Sequence, residues 1–105
     1  MAGTVLSVGV VACAATLAVT FVTAGGAAVF SQRLAGTADA AALAAADAAS
    51  GLVDGVPCDR AAELAAVGGA ELAACDLDGL VATVTVSAAF GRVPATASAR
   101  AGPPG

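Results

Sequence analysis

The chain of 105 residues has no histidine, tryptophan, tyrosine or lysine, and its only aromatic residues are three phenylalanines. Without histidine it lacks the usual general base and the commonest metal ligand. Its basic residues are Arg33, Arg60, Arg92 and Arg100, scattered singly through a chain of net charge −4. That leaves no patch able to neutralise a run of phosphates, which excludes nucleic acid as a partner. No serine stands in a Gly-x-Ser-x-Gly context, and Gly25-Gly26 and Gly68-Gly69 lack the remainder of any phosphate-binding fingerprint. Nothing here points to an enzyme, a cofactor, a metal or a small-molecule substrate. Bulk is scarce too. Much of the 59% hydrophobic content is alanine, which contributes little at about 25 cal/mol per Å² of buried apolar surface.

Charge is absent from one long stretch. Met1 to Gln32 contains no charged side chain, and Thr4 to Phe30 is mostly Val, Leu, Ala, Phe and Thr. About 20 consecutive apolar residues cross a bilayer core as a helix, so residues 1–32 are expected to form a transmembrane helix. Two rivals are a secretory signal cut after Val22-Thr23-Ala24, which lacks a basic n-region, and a buried core helix, for which the remaining chain has too little to wrap it. Ala12, Thr16, Thr20, Ala24 and Ala28 recur every four residues. They make a small-residue stripe of the kind along which helices pack closely in lipid, although alanine-rich sequence also produces such stripes by chance.

The helical pattern runs on through residues 33–50, almost all good helix formers, with Leu34, Leu43 and Leu52 as the large apolar groups available for packing. Asp39 and Asp47 solubilise this extension or pair with arginine in a neighbouring subunit. Residues 51–57 read as a loop. A short helix follows from Asp59 to about Val67, ended by Gly68-Gly69. Residues 70–77 are a strand candidate, and Asp76-Leu77-Asp78-Gly79 supplies a turn. A calcium loop in the same four residues lacks its other oxygen ligands. From Leu80 to Ala88 the chain alternates cleanly, with Leu80, Ala82, Val84, Val86 and Ala88 on one face, and Ala95 to Ala101 alternates likewise. The expected fold class is therefore α+β: a long N-terminal transmembrane helix extending outward, then a small helix and a three-stranded antiparallel meander over 58–101. Residues 102–105 form a flexible tail.

Of the three cysteines, Cys13 lies in the apolar run as a small packing residue. Cys58 and Cys75 lie beyond it, and a bond between them would remove roughly 3 kcal/mol of unfolded-state entropy and place the domain outside the cell. The other reading is two free thiols in a cytosolic domain.

Laid out in order, these pieces resemble the TadE-like proteins of actinobacteria, small pseudopilin-type subunits of tight-adherence (Tad, Flp) pilus and type II-like secretion loci. The resemblance spans almost the whole chain. It rests on Gly3-Thr4-Val5-Leu6, on Ala38 to Ala46 standing where the family has Ala-Asp-Leu-Ala-Ala-Leu-Ala-Ala-Ala, with Asp39 and Leu43 as motif positions, and on Pro57-Cys58, Ala74-Cys75 and Ala99-Arg100-Ala101-Gly102-Pro103. It implies a non-enzymatic minor pilin or platform component in the cell membrane. Such a protein is single-pass, with a cytoplasmic N-terminus and an extracellular domain in which Cys58 is bonded to Cys75. Its partners would be the lipid bilayer and other pilin-like or Tad secretion-apparatus subunits. Pilins also carry a basic leader, a peptidase-site glycine and a glutamate, where this sequence offers no basic residue and has Ser7 or Val8. Arg33, the first charge after the run, votes by the positive-inside tendency for the opposite orientation. A membrane-tethered accessory module and a small secreted protein are the alternative functions.

Overall fold

The computed structural model describes the backbone of residues 2–104 and the side chains of 7–15 and 25–104. Helix α1 (Ala2–Ala49) comprises 48 residues, which at about 1.5 Å per residue accounts for most of the molecule's 75 Å long axis. Its alanine-rich sequence has the highest helix propensity and contains no proline. It stops where Gly51 takes φ 81°. There the Leu52 N–H donates to the Asp47 carbonyl (2.9 Å) and the Gly51 N–H to the Ala48 carbonyl (3.2 Å), a paired closure of orphan carbonyls that needs a left-handed residue.

Helix α2 (Pro57–Val67) opens with Pro57 at its first turn, where the missing N–H costs nothing, and so begins two residues before Asp59. Its C-terminus closes in the same way as that of α1, through Ala70 N–H to the Ala65 carbonyl (2.8 Å) and Gly69 N–H to the Ala66 carbonyl (3.0 Å). Strands β1 (Glu71–Asp78), β2 (Val81–Phe90) and β3 (Val93–Ala101) then form an antiparallel sheet in the order β1-β2-β3. Two-residue loops, Gly79-Leu80 and Gly91-Arg92, join them, with Asp78 opposite Val81 and Phe90 opposite Val93. The Asp76 to Gly79 turn thus sits later than the sequence suggests, because Asp76 and Asp78 are still in β1.

Ala82, Val84 and Val86 point from β2 into a core completed by Ala61 and Ala65 of α2 and by Leu34, Ala38, Ala41, Ala42, Ala45 and Ala46 of α1. The spacing of the α1 set follows one face of a 3.6-residue period. The two largest side chains that are fully buried are Val84 and Val86. Leu34 packs inside as expected, but Leu43 and Leu52 are 56% and 78% exposed. Leu43 is on the face of α1 turned away from the head and Leu52 lies beyond the end of the helix, whereas on the packing face α1 and α2 come close. A Cβ on Gly68 would lie against Thr37, 3.0 Å from its Cβ, and at that separation alanine fits where leucine does not.

Strand β1 contains a bulge between Leu72 and Ala74: Leu72 opposes Val86, and Ala74 already opposes Thr85. The extra residue, Ala73, lets Leu72 and Cys75, three apart, both face the core, which a regular strand of period two forbids.

The expected transmembrane helix over residues 1–32 is corrected: among the described residues no helix is long and apolar enough to cross a membrane. Ser31, Gln32 and Arg33 bring polar groups into α1.

Candidate functional site

Two surfaces carry what this chain has to offer a partner: the N-terminal part of α1 and the sheet of the head. Every described side chain of 7–15 and of 25–29 is exposed. Val8, Val10, Val11 and Val29 are each more than half accessible, and none of these positions carries a charge. Val8, Val10 and Val11 alone point in three directions around the axis at 100° per residue. A helix that is apolar all round is normally enclosed; this one carries these side chains exposed beyond its own head. Within the expected stripe, Ala12 and Ala28 are exposed. Thr16, Thr20 and Ala24 lie outside the described side chains, as do the Val22-Thr23-Ala24 cleavage motif and the side chains of Thr4-Val5-Leu6.

The rod is fixed to the head at one level. Phe30 on α1 meets Phe90 at the tip of the β2–β3 hairpin, ring centroids 5.2 Å apart and planes tilted by 37°. Below this contact a shallow groove lined by Phe30, Leu34, Phe90, Val93 and Ala97 runs between α1 and β3. Sequence gave no warning of the pair, since the two rings are far apart in the chain.

Cys58, in the first turn of α2, and Cys75, on the inward face of β1, form a disulfide with Cα atoms 5.9 Å apart. It ties α2 to β1, at the edge of the sheet. The Ala73 bulge is what aims Cys75 at it. Nearby, Arg60 donates through Nε (2.9 Å) and Nη2 (2.7 Å) to the carbonyl of Asp54 and through Nη1 (3.3 Å) to Glu63. Its planar fork pins the loop between the two helices, a role its isolated position in the sequence did not show.

Asp39 and Leu43 sit one turn apart on the solvent face of α1, both exposed, away from the alanines that meet the head. Asp47 is half-buried. Among the described residues no cluster of three or more metal-ligating side chains occurs, and no charged or polar side chain is buried.

The face of the sheet turned away from the helices is polar. Thr83, Thr85 and Ser87 of β2 stand between Asp76, Asp78 and Glu71 of β1 on one side and Thr96, Ser98 and Arg100 of β3 on the other. The Thr85 and Ser98 hydroxyls share a hydrogen bond of 2.8 Å. No family model matches this chain, and no curated protein or solved structure is significantly similar to it.

Proposed function

We propose that this chain is a non-enzymatic structural subunit of the TadE-like, pseudopilin type, a minor component of a pilus or secretion apparatus whose N-terminal helix packs laterally with other pilin-like helices. One observation carries the reading: the uncharged, outward-facing apolar rod at 7–15 and 25–29. Exposed apolar surface of that extent marks an interaction site, and at about 1.5 Å per residue the rod reaches well beyond the head. The small side chains along it allow close helix approach. The head supplies stability instead of chemistry, and its disulfide fits a compartment where thiols are oxidised, outside the cytoplasm.

Sedimentation of the full chain tests this directly. The wild type is expected to associate, and Val8→Asp with Val11→Asp, which place charge on the rod without touching the head, to sediment as a folded monomer. Association unchanged by both substitutions would remove the rod from the account. Mechanical shearing of cells separates a filament subunit, which is shed, from an accessory module, which stays with the envelope.

A further inference from the structure

The two edges of the sheet carry opposite charge. Strand β1 holds Glu71, Asp76 and Asp78 and no basic residue, while β3 and the loop leading into it hold Arg100 and Arg92 and no acidic one. All five side chains are exposed. Strand β2, between the two edges, is uncharged. Among the described residues the ion pair formed is Arg60 with Glu63, so neither edge is neutralised from within the chain.

The register makes these edges fit one another. Asp76 and Arg100 both lie opposite Thr83, one from each side, and hence at the same height along the strands. Because β1 and β3 each run antiparallel to β2, they run parallel to one another. A second copy displaced across the strands, with no sliding along them, therefore brings its Asp76 beside Arg100 of the first.

We propose that the head binds a second copy of this chain edge to edge, the β3 edge of one against the β1 edge of the next, with Arg100 facing the acidic pair Asp76 and Asp78. Like edges repel, so the twofold arrangements β1 to β1 and β3 to β3 are disfavoured and the contact is head-to-tail. A contact of that kind propagates into a ring or a filament. Indiscriminate strand addition is blunted at both edges, by the Ala73 bulge on β1 and by Pro94 near the start of β3, which leaves charge to select the partner. The right-handed twist carried through each sheet turns successive heads relative to one another. This inference rests on the reading of the chain as an assembling subunit, but it concerns the head and not the rod.

The test uses the absence of lysine. Arg100→Lys introduces the one side-chain amine in the full chain, and a carbodiimide joins it without a spacer only to a carboxylate in contact. With equal amounts of ¹⁴N and ¹⁵N protein, mass spectrometry of the cross-linked peptides separates links between chains from links within one. The expected product is an interchain amide from position 100 to Asp76 or Asp78, lost at high salt. Arg100→Glu alone and Asp76→Arg with Asp78→Arg alone are each expected to abolish head contact, and an equal mixture of the two to restore it. Chains that associate through their rods but give only within-chain links, or charge-reversed variants that mix no better than they self-associate, overturn the head contact and leave the rod reading standing. Interchain links that persist in Val8→Asp with Val11→Asp establish it without the rod. A chain that stays monomeric overturns both.

Discussion

Phe30 and Phe90, their ring centroids 5.2 Å apart, join α1 to the β2–β3 hairpin at the level where the rod leaves the head. An aromatic pair of this kind contributes about 0.5–1.5 kcal/mol beyond its area. Phe90 is 40% exposed, so Phe90→Ala is expected to cost about 1–2 kcal/mol, below the value for a fully buried ring. Thermal unfolding should fall by roughly 4–16 °C for a domain of this size. The same variant should free the hairpin tip, read as faster amide exchange at 89–94 with the rest of the sheet still protected.

Reduction of the Cys58–Cys75 bond is expected to lower head stability by about 3 kcal/mol in the chain-entropy account. Denaturant unfolding of Cys58→Ser, compared with the wild type under oxidising and reducing conditions, checks it. The variant should match the reduced wild type, because Cys13 lies far along the rod and plays no part.

Gly68 makes a sharper packing prediction. Its Cβ-less backbone lies against Thr37, so Gly68→Ala forces the C-terminal turn of α2 away from α1 and is expected to cost about 1–3 kcal/mol. Thr37→Ala removes the hydroxyl and methyl that stand in the way. The double variant should therefore lose less than the sum of the two, a coupling read from a double-mutant cycle.

Within the core, Val84→Ala opens space among side chains that are already mostly alanine and cannot close it. A loss of about 2 kcal/mol is expected, near the low end for truncating a larger aliphatic residue. Leu43→Ala, on the exposed face, should change head stability by no more than about 0.5 kcal/mol. Equal effects at the two sites would mean that the head packs on a different face of α1.

These residues also show what the sequence could and could not reveal. The meander was legible because β2 and β3 alternate small apolar and polar groups at the strand period, and the run of helix formers announced α1. The packing face of α1 was not. With alanine at nearly every position from 38 to 49 the pattern has no contrast, and the leucines that looked like core anchors are, apart from Leu34, on the outside. β1 read weakly for a different reason: the extra residue at Ala73 breaks its alternation and at the same time brings Cys75 round to Cys58. The Phe30–Phe90 contact and the matched heights of Asp76 and Arg100 depend on how distant segments meet, which no local pattern encodes. The membrane span is the reading that the structure corrects, and the stripe expected along α1 is described only at Ala12 and Ala28.

The central claim, that the rod packs against like helices, is tested most directly at Cys13, the exposed free thiol on the rod. A nitroxide attached there in the full chain should show strong dipolar coupling between chains, as helix axes about 8–10 Å apart require, and the coupling should fade as unlabelled protein is added. Spectra that show no coupling between chains in undiluted protein, and no change on dilution, would contradict it.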